Sequence, residues 1–233
     1  TPTTNNVGVH LEEHECTWSG NKASTQGANW RVESDYFTSI IWDRNVVLPS
    51  AVSDPSTIPS SYILLRASPS TSTFTMDDCT FTDMKSVDVI ANNRLTTTWK
   101  NSVWSGYDRA VSVDATAGEL RVIWENLVFG YPATTSTDTA LVTHPYSLNM
   151  TNVSFEALNN KMNVVVNNSA STLLFTDMTC ILRGASPPNG QNLHSACMKL
   201  SSDSGLISNS AVLGGAWTVH TERLTSVSAV SST

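Results

Sequence analysis

The chain has 233 residues, a net charge of −7, 40% hydrophobic residues and only 14% charged ones. The acidic balance excludes the basic face that nucleic acid requires, and no apolar run reaches the ~20 residues of a membrane-spanning helix. The length suits one large domain or two small ones with a substantial core, and Ser, Thr and Asn must cover much of its surface.

Eight short stretches, taken in chain order, align on a single amide or acidic residue. They are HECTWSG (14–20), WDRNVV (42–47), FTMDDCTFTD (74–83), TTWKNSVWSG (97–106), LRVIWENLVFGY (120–131), LNMTNVSFEA (148–157), LLFTDMTCIL (173–182) and LISNSAVLGG (206–215). The shared position is Glu15, Asp43, Asp78, Asn101, Asn126, Asn152, Asp177 and Asn209, with the weakest flanking alternation at Glu15 and Asp43. Two residues before it stand Ile41, Met76, Trp99, Trp124, Met150, Phe175 and Ile207. Three residues after it stand Trp18, Val46, Phe81, Trp104, Phe129, Phe155, Cys180 and Val212. A further apolar run, such as SVDVIA (86–91) or AVSVDA (110–115), lies between successive positions. Each repeat therefore holds two strands meeting at a corner and one more strand. Val, Ile, Thr and aromatic residues favour strands. No stretch sustains a 3.6-residue period, so helix is expected to be scarce.

The corner has a physical reading. Side chains alternate faces along a strand. The apolar parity changes at Asn126, from Leu120, Val122 and Trp124 to Leu127 and Phe129. One residue bent into the left-handed region lets positions −2, +1 and +3 all point inward, and Asn and Asp tolerate that region best after glycine. Coils ~4.8 Å apart then place corner amides in register for a hydrogen-bonded ladder. An antiparallel sandwich would need hairpin dipeptides between its strands. Asn189-Gly190 is the one Asn-Gly in the chain, and it lies in a long loop.

This pattern resembles the right-handed parallel β-helix, the pectin-lyase-like solenoid with Asn ladders and inward stacks, over about residues 11–220. The expected fold is all-β, a single-stranded right-handed parallel β-helix of about eight coils, roughly 40 Å long at ~4.8 Å per coil. The expected division is an N-terminal arm (1–10), the β-helix (11–221) and a C-terminal tail (222–233). The chain begins at Thr1, as it would after loss of an initiator Met or of a leader.

The four cysteines form no CxxC pair, and no histidine stands at metal-ligand spacing from them, so neither a metal nor a cofactor is expected. Cys16 and Cys79 would face inward two coils apart, too far for a disulfide. Cys180 and Cys197 flank a loop that leaves their meeting open. The expectation is four buried free thiols. The five histidines are expected to be ordinary turn or surface residues.

Polygalacturonase-like β-helices carry Asp-Asp, Gly-His-Gly and Arg-Ile-Lys segments on consecutive coils. Here Asp77-Asp78 stands without the other two. Asp77, Asp83 and Asp88, with Lys85 and Arg94, make a two-carboxylate site conceivable, but a solvated acidic surface is the expectation. The surface composition and the run of repeats resemble those of bacteriophage spikes, fibres and capsid decorations. That resemblance implies a non-enzymatic virion protein, with capsid decoration or knob ahead of tail spike. Its implied partners are its own copies as a homotrimer, other virion proteins and host surface glycan, with neither nucleic acid nor membrane insertion. The alternative is a glycan-binding or glycan-cleaving β-helix, tailspike-like or secreted. The sequons at Asn149, Asn152 and Asn167 belong to a further, secreted reading, but a glycan would not fit at a ladder corner.

Two surfaces are candidates. Ile40 and Trp42 form an apolar outward pair suited to a subunit contact, unless that coil is irregular and Trp42 faces inward. Tyr107 and Tyr131 follow equivalent strands on adjacent coils. With Asp108 and Arg109 they form a candidate aromatic platform for a sugar or partner, the plainer reading being a Tyr stack that covers the coil edge.

Overall fold

The structure is a computed structural model. It describes residues 9–19, 30–34, 38–48, 61–65, 71–84, 86–92, 94–107, 109–115, 118–130, 140–158, 164–183, 198–208, 211–213, 219–221 and 227–230. Regular structure among them is entirely β, and every strand pairing is parallel.

Strands stack in three ladders. The first runs from Val9–His14 through Thr38–Asp43, Ser72–Asp77, Leu95–Lys100, Leu120–Glu125 and Pro145–Thr151 to the second half of Val164–Thr176. The second has eight short strands, from Thr17–Trp18 to Ala211–Leu213. The third joins Trp30–Ser34, Ser61–Leu65, Val87–Ala91, Val111–Ala115, Ala140–Thr143 and the first half of Val164–Thr176. Strands non-adjacent in sequence pair within each ladder, so the chain winds as a parallel β-solenoid. Side chains are described around about four consecutive turns, between Ser72 and Thr176. That is fewer than the eight coils expected. Strand pairing also reaches Val9 inside the expected arm and Val227–Val230 inside the expected tail, where it pairs with Gly205–Ser208.

The corners are left-handed as expected at Glu15, Asp78, Asn101, Asn126, Asn152 and Asp177, with φ between 50° and 55°. Asn209 lies outside the described residues. Asp43 is a correction: the left-handed residue is Arg44, φ 51°. Thr38, Ile40 and Trp42 therefore face inward and Asp43 outward. A one-residue slip flips every side chain of a strand to the other face. Measured from Arg44, Trp42 stands at −2 and Val47 at +3, both buried, so the apolar pattern is obeyed once the corner is moved.

The turn costs no backbone hydrogen bond. The corner N–H donates forward, as from Asn101 to the Glu125 carbonyl (3.1 Å) and from Asn126 to the Thr151 carbonyl (3.0 Å). Two residues later the N–H donates backward, from Val128 to Ser102 (3.0 Å) and from Ser154 to Leu127 (2.9 Å). Between them, buried Asn45 and Ser102 accept from the N–H groups of Cys16 (2.9 Å) and Cys79 (3.0 Å) on the preceding coil. The side-chain ladder exists, but it is exposed and begins off the corner. Asn101 donates to Asp77 (2.7 Å), Asn126 to Asn101 (3.0 Å) and Asn152 to Asn126 (2.8 Å).

Two aromatic rows fill the interior. Phe81, Trp104, Phe129 and Phe155 stack at 4.8, 4.8 and 4.9 Å between ring centroids, at position +3 of successive coils. At −2, Trp99 and Trp124 lie 4.9 Å apart and 7° from parallel. These spacings match the distance between strands, so in-register coils impose ring stacking. The indole nitrogens of Trp99, Trp104 and Trp124 are buried without a hydrogen-bond partner. Each such group costs ~1–3 kcal/mol, against ~3–5 kcal/mol for deleting a core aromatic, so ring packing wins.

Cys79 is buried, and burial pushes its thiol up to about 11, which makes it an unreactive packing group. Cys16 is half-buried and also free. Cys180 is disulfide-bonded, which corrects the expectation of four free thiols. Cys197 lies outside the described residues.

Trp124→Ala should cost ~3–5 kcal/mol in denaturant unfolding. Trp124→Phe should cost far less, because it keeps a ring in the stack and removes an unpaired donor. A second test uses Asn126, whose corner is exposed but left-handed. Asn126→Leu should destabilise by ~1–3 kcal/mol, and Asn126→Gly, which accepts φ > 0 freely, should be clearly milder. Equal losses for Gly and Leu would remove backbone strain as the reason for Asn.

Candidate functional site

The candidate platform does not assemble around Tyr107. After Val103–Ser105, Gly106 turns the chain in the left-handed region at φ 65°. A Cβ there would fall 1.9 Å from the Asp83 Oδ1, so glycine is required by both space and backbone. The turn sends Tyr107 into the core, where it is fully buried and its hydroxyl donates to the Gly130 carbonyl at 2.7 Å. Tyr107 thus staples two coils from inside. Arg109 is half-buried, and Asp108 and Tyr131 lie outside the described residues. Asp83, equivalent to Gly106 on the preceding coil, is itself left-handed at φ 49°, a second corner that the sequence reading missed. Asp83 and Gly106, directly after the second-face strands Thr80–Thr82 and Val103–Ser105, were the available signal.

Ile40 and Trp42 are 0% and 4% exposed, so they are core residues and cannot anchor a subunit contact. The exposed apolar side chains instead include Val103 (38%) and Val128 (41%), partners in register on adjacent coils of the second face.

The three aspartates considered for catalysis do not converge. Asp77 ends a first-face strand and accepts from Asn101, Asp83 is exposed after the second-face strand, and Asp88 lies on the third face and accepts from Ser86 (2.9 Å). They occupy three sides of one turn. Lys85 lies outside the described residues, and Arg94 reaches Glu119 on the next coil at 3.9 Å. Among the described residues, no group of three His, Cys, Asp or Glu is arranged to hold a metal ion. The Nδ2 of Asn152, where a glycan would attach, is engaged with Asn126.

Polar groups assemble in two other places. At the first coils, His14 contacts Asp43 (3.1 Å) and Glu12 (3.4 Å), and Arg44 contacts Glu15 (2.9 Å) and Asp43 (2.9 Å). Hydrogen bonding to Asp43 and then Glu12 raises the His14 pKa, while bonds to His10 and His14 lower that of Glu12. On the first face, Arg94, Glu119, Arg121 and Tyr146 form a line across coils, with Arg121 3.3 Å from Glu119 and its guanidinium 5.2 Å from the Tyr146 ring centre. Strand register shifts between Leu120–Pro145 and Arg121–Ser147, so Tyr146 is the extra residue of a β-bulge. His144, left-handed at φ 56°, precedes it and is held by Asp114 at 3.0 Å.

Compared with known proteins, the chain matches no family model, no curated protein and no solved structure.

Tyr107→Phe should cost about 1–2 kcal/mol, since it removes the donor to the half-buried Gly130 carbonyl; chemical denaturation measures it, and no change would place Tyr107 at the surface. The His14 cluster should give an acid-side gain in stability. A raised His pKa stabilises fully below the unfolded value of about 6.5 and loses its contribution as pH rises through the higher folded value. A lowered Glu12 pKa contributes above about 4.5 and is lost as pH falls through the folded value. The contribution should peak between these limits and shrink in His14→Gln, which leaves only the Glu12–His10 contact, as read by melting temperature across pH 4–8.

Proposed function

We propose that this chain is a non-enzymatic structural component of a bacteriophage particle, a pectin-lyase-like β-helix that assembles as a homotrimer. The reading places it in the virion, as capsid decoration or knob ahead of spike, in contact with its own copies and with other particle proteins. The observation that carries it is the continuous interior stack from Phe81 to Phe155, combined with an outer surface of short polar side chains. Such a prism resists bending, because each coil is bonded to the next along all three ladders. A passive rigid spacer needs that property.

Self-association has a better candidate than the pair expected from sequence. Val103 and Val128 lie one coil apart beside the ladder of exposed corner amides. Parallel solenoids meeting side by side would bury this pair and keep polar residues around it, the arrangement of an interface core and rim.

Two measurements test the reading. The protein should co-purify with intact particles: hundreds of copies indicate decoration, and a few dozen or fewer indicate a spike. Its absence from particles would overturn the reading. Val103→Asp with Val128→Asp should convert a trimer to monomers in sedimentation equilibrium while leaving the β circular dichroism spectrum unchanged. A trimer that survives the double substitution would move the contact to another surface.

A further inference from the structure

We propose that the first coil, at residues 9–18, is a pH-gated end of the solenoid, docked on the second coil in mildly acidic solution and released from it as pH rises through neutrality. Its interior sets it apart. At −2, where Trp42, Met76, Trp99 and Trp124 fill later coils, stands Glu13, a buried carboxylate that accepts from the Trp18 indole N–H. Leu11 and Trp18 are only partly buried, and Cys16 is half-buried. Val9–His14 also ends its ladder, paired among the described residues with Thr38–Asp43 alone. Exposed ion pairs count for little beside a packed core. Here the packed core is thin, so polar contacts carry a larger share of the docking.

Side chains cross to the second coil at three points. Asn45 accepts from the Cys16 N–H (2.9 Å) and donates to the Glu13 carbonyl (3.1 Å), Arg44 pairs with Glu15 (2.9 Å), and His14 pairs with Asp43 (3.1 Å). Of these groups only the imidazole changes charge near neutral pH. From its own strand it faces Glu12, which is itself bound to His10 at 2.6 Å. From the second coil it faces Asp43 with Arg44 beside it; Asp77 is in register with Asp43 on the third coil, and Asp78 also acts on Arg44. A charged His14 lies between two carboxylates. Once it is neutral, Glu12, Glu15 and Asp43, with Glu13 beneath them, are opposed within this group by Arg44 as the fixed positive charge. Hydrogen bonds to Asp43 and then Glu12 raise the His14 pKa, so its contribution is complete below about 6.5 and is lost as pH rises through the higher folded value. The lowered Glu12 pKa sets the acid limit, because its contribution fades as pH falls through the folded value. His144 and Asp114 (3.0 Å) repeat the His–Asp contact between coils lined by the fully buried Val111, Val113, Ala140 and Val142, which makes them a control within the same molecule.

Hydrogen exchange of the full chain, read by mass spectrometry, tests the gate, because each peptide reports the opening of its own coil. After correction for the intrinsic pH dependence of exchange, opening at residues 9–18 should rise about three- to tenfold from about pH 5.5 to about pH 8, while residues 111–115 and 140–151 stay constant. His14→Gln keeps a hydrogen-bonding head that cannot be charged, and it should lose most of that rise. Asp43→Asn leaves the imidazole in place without its charged partner and should do the same, which keeps the test sharp if His14→Gln disturbs the strand. Both variants should keep the wild-type circular dichroism spectrum. Equal opening of the first coil at the two pH values, an undiminished rise in either folded variant, or an equal rise at residues 140–151 would each overturn the gate.

Discussion

The fold depends on a left-handed residue at the corner between the first and second faces. At Asn126 the chain changes direction in a single step, yet its N–H still reaches the next coil and the N–H two residues later reaches the previous one. A wider turn would break that alternation and leave buried backbone groups without partners. A turn without positive φ would keep the strand straight and put Leu127 and Phe129 outside. Six described corners repeat the solution with Glu, Asp or Asn, and Arg44 shows that the backbone geometry is required even where the residue type is unfavourable.

In-register coils then dictate the interior. Because equivalent residues stand one strand spacing apart, aromatic residues at −2 and +3 are placed at stacking distance without further adjustment. The packing tolerates three buried indole nitrogens with no acceptor. The same regularity makes departures informative. Gly106, Tyr107 and Gly130 lock one edge from within, whereas the bulge at Tyr146 breaks register and turns a ring outward. Irregularity that buries a group is structural; irregularity that exposes one needs another reason.

The solenoid also separates residues that sequence places together. Asp77, Asp83 and Asp88 lie within twelve positions of one another, yet the chain turns twice between them and distributes them over three sides. Conversely, Arg94, Glu119, Arg121 and Tyr146 span more than fifty positions and meet on one surface. In a coiled chain, neighbours on the surface are one coil apart, so clusters are found by the repeat length rather than by local proximity.

Sequence alone determined the parallel solenoid, six of its corners, the inward rows at −2 and +3 and the amide ladder, because period-two alternation and left-handed tolerance are local properties that recur with each coil. It misplaced the corner near Asp43, since Asp suits positive φ better than Arg44 does; the buried positions of Trp42 and Val47 decided the matter. It took Tyr107 for a surface residue because its Gly106 turn reads as a loop, and only the position of the Gly130 carbonyl one coil away shows why the ring turns in. It gave no sign of the Arg121–Tyr146 contact, whose partners are set by a register shift. A bulge depends on how two strands pair, and pairing is decided by tertiary structure.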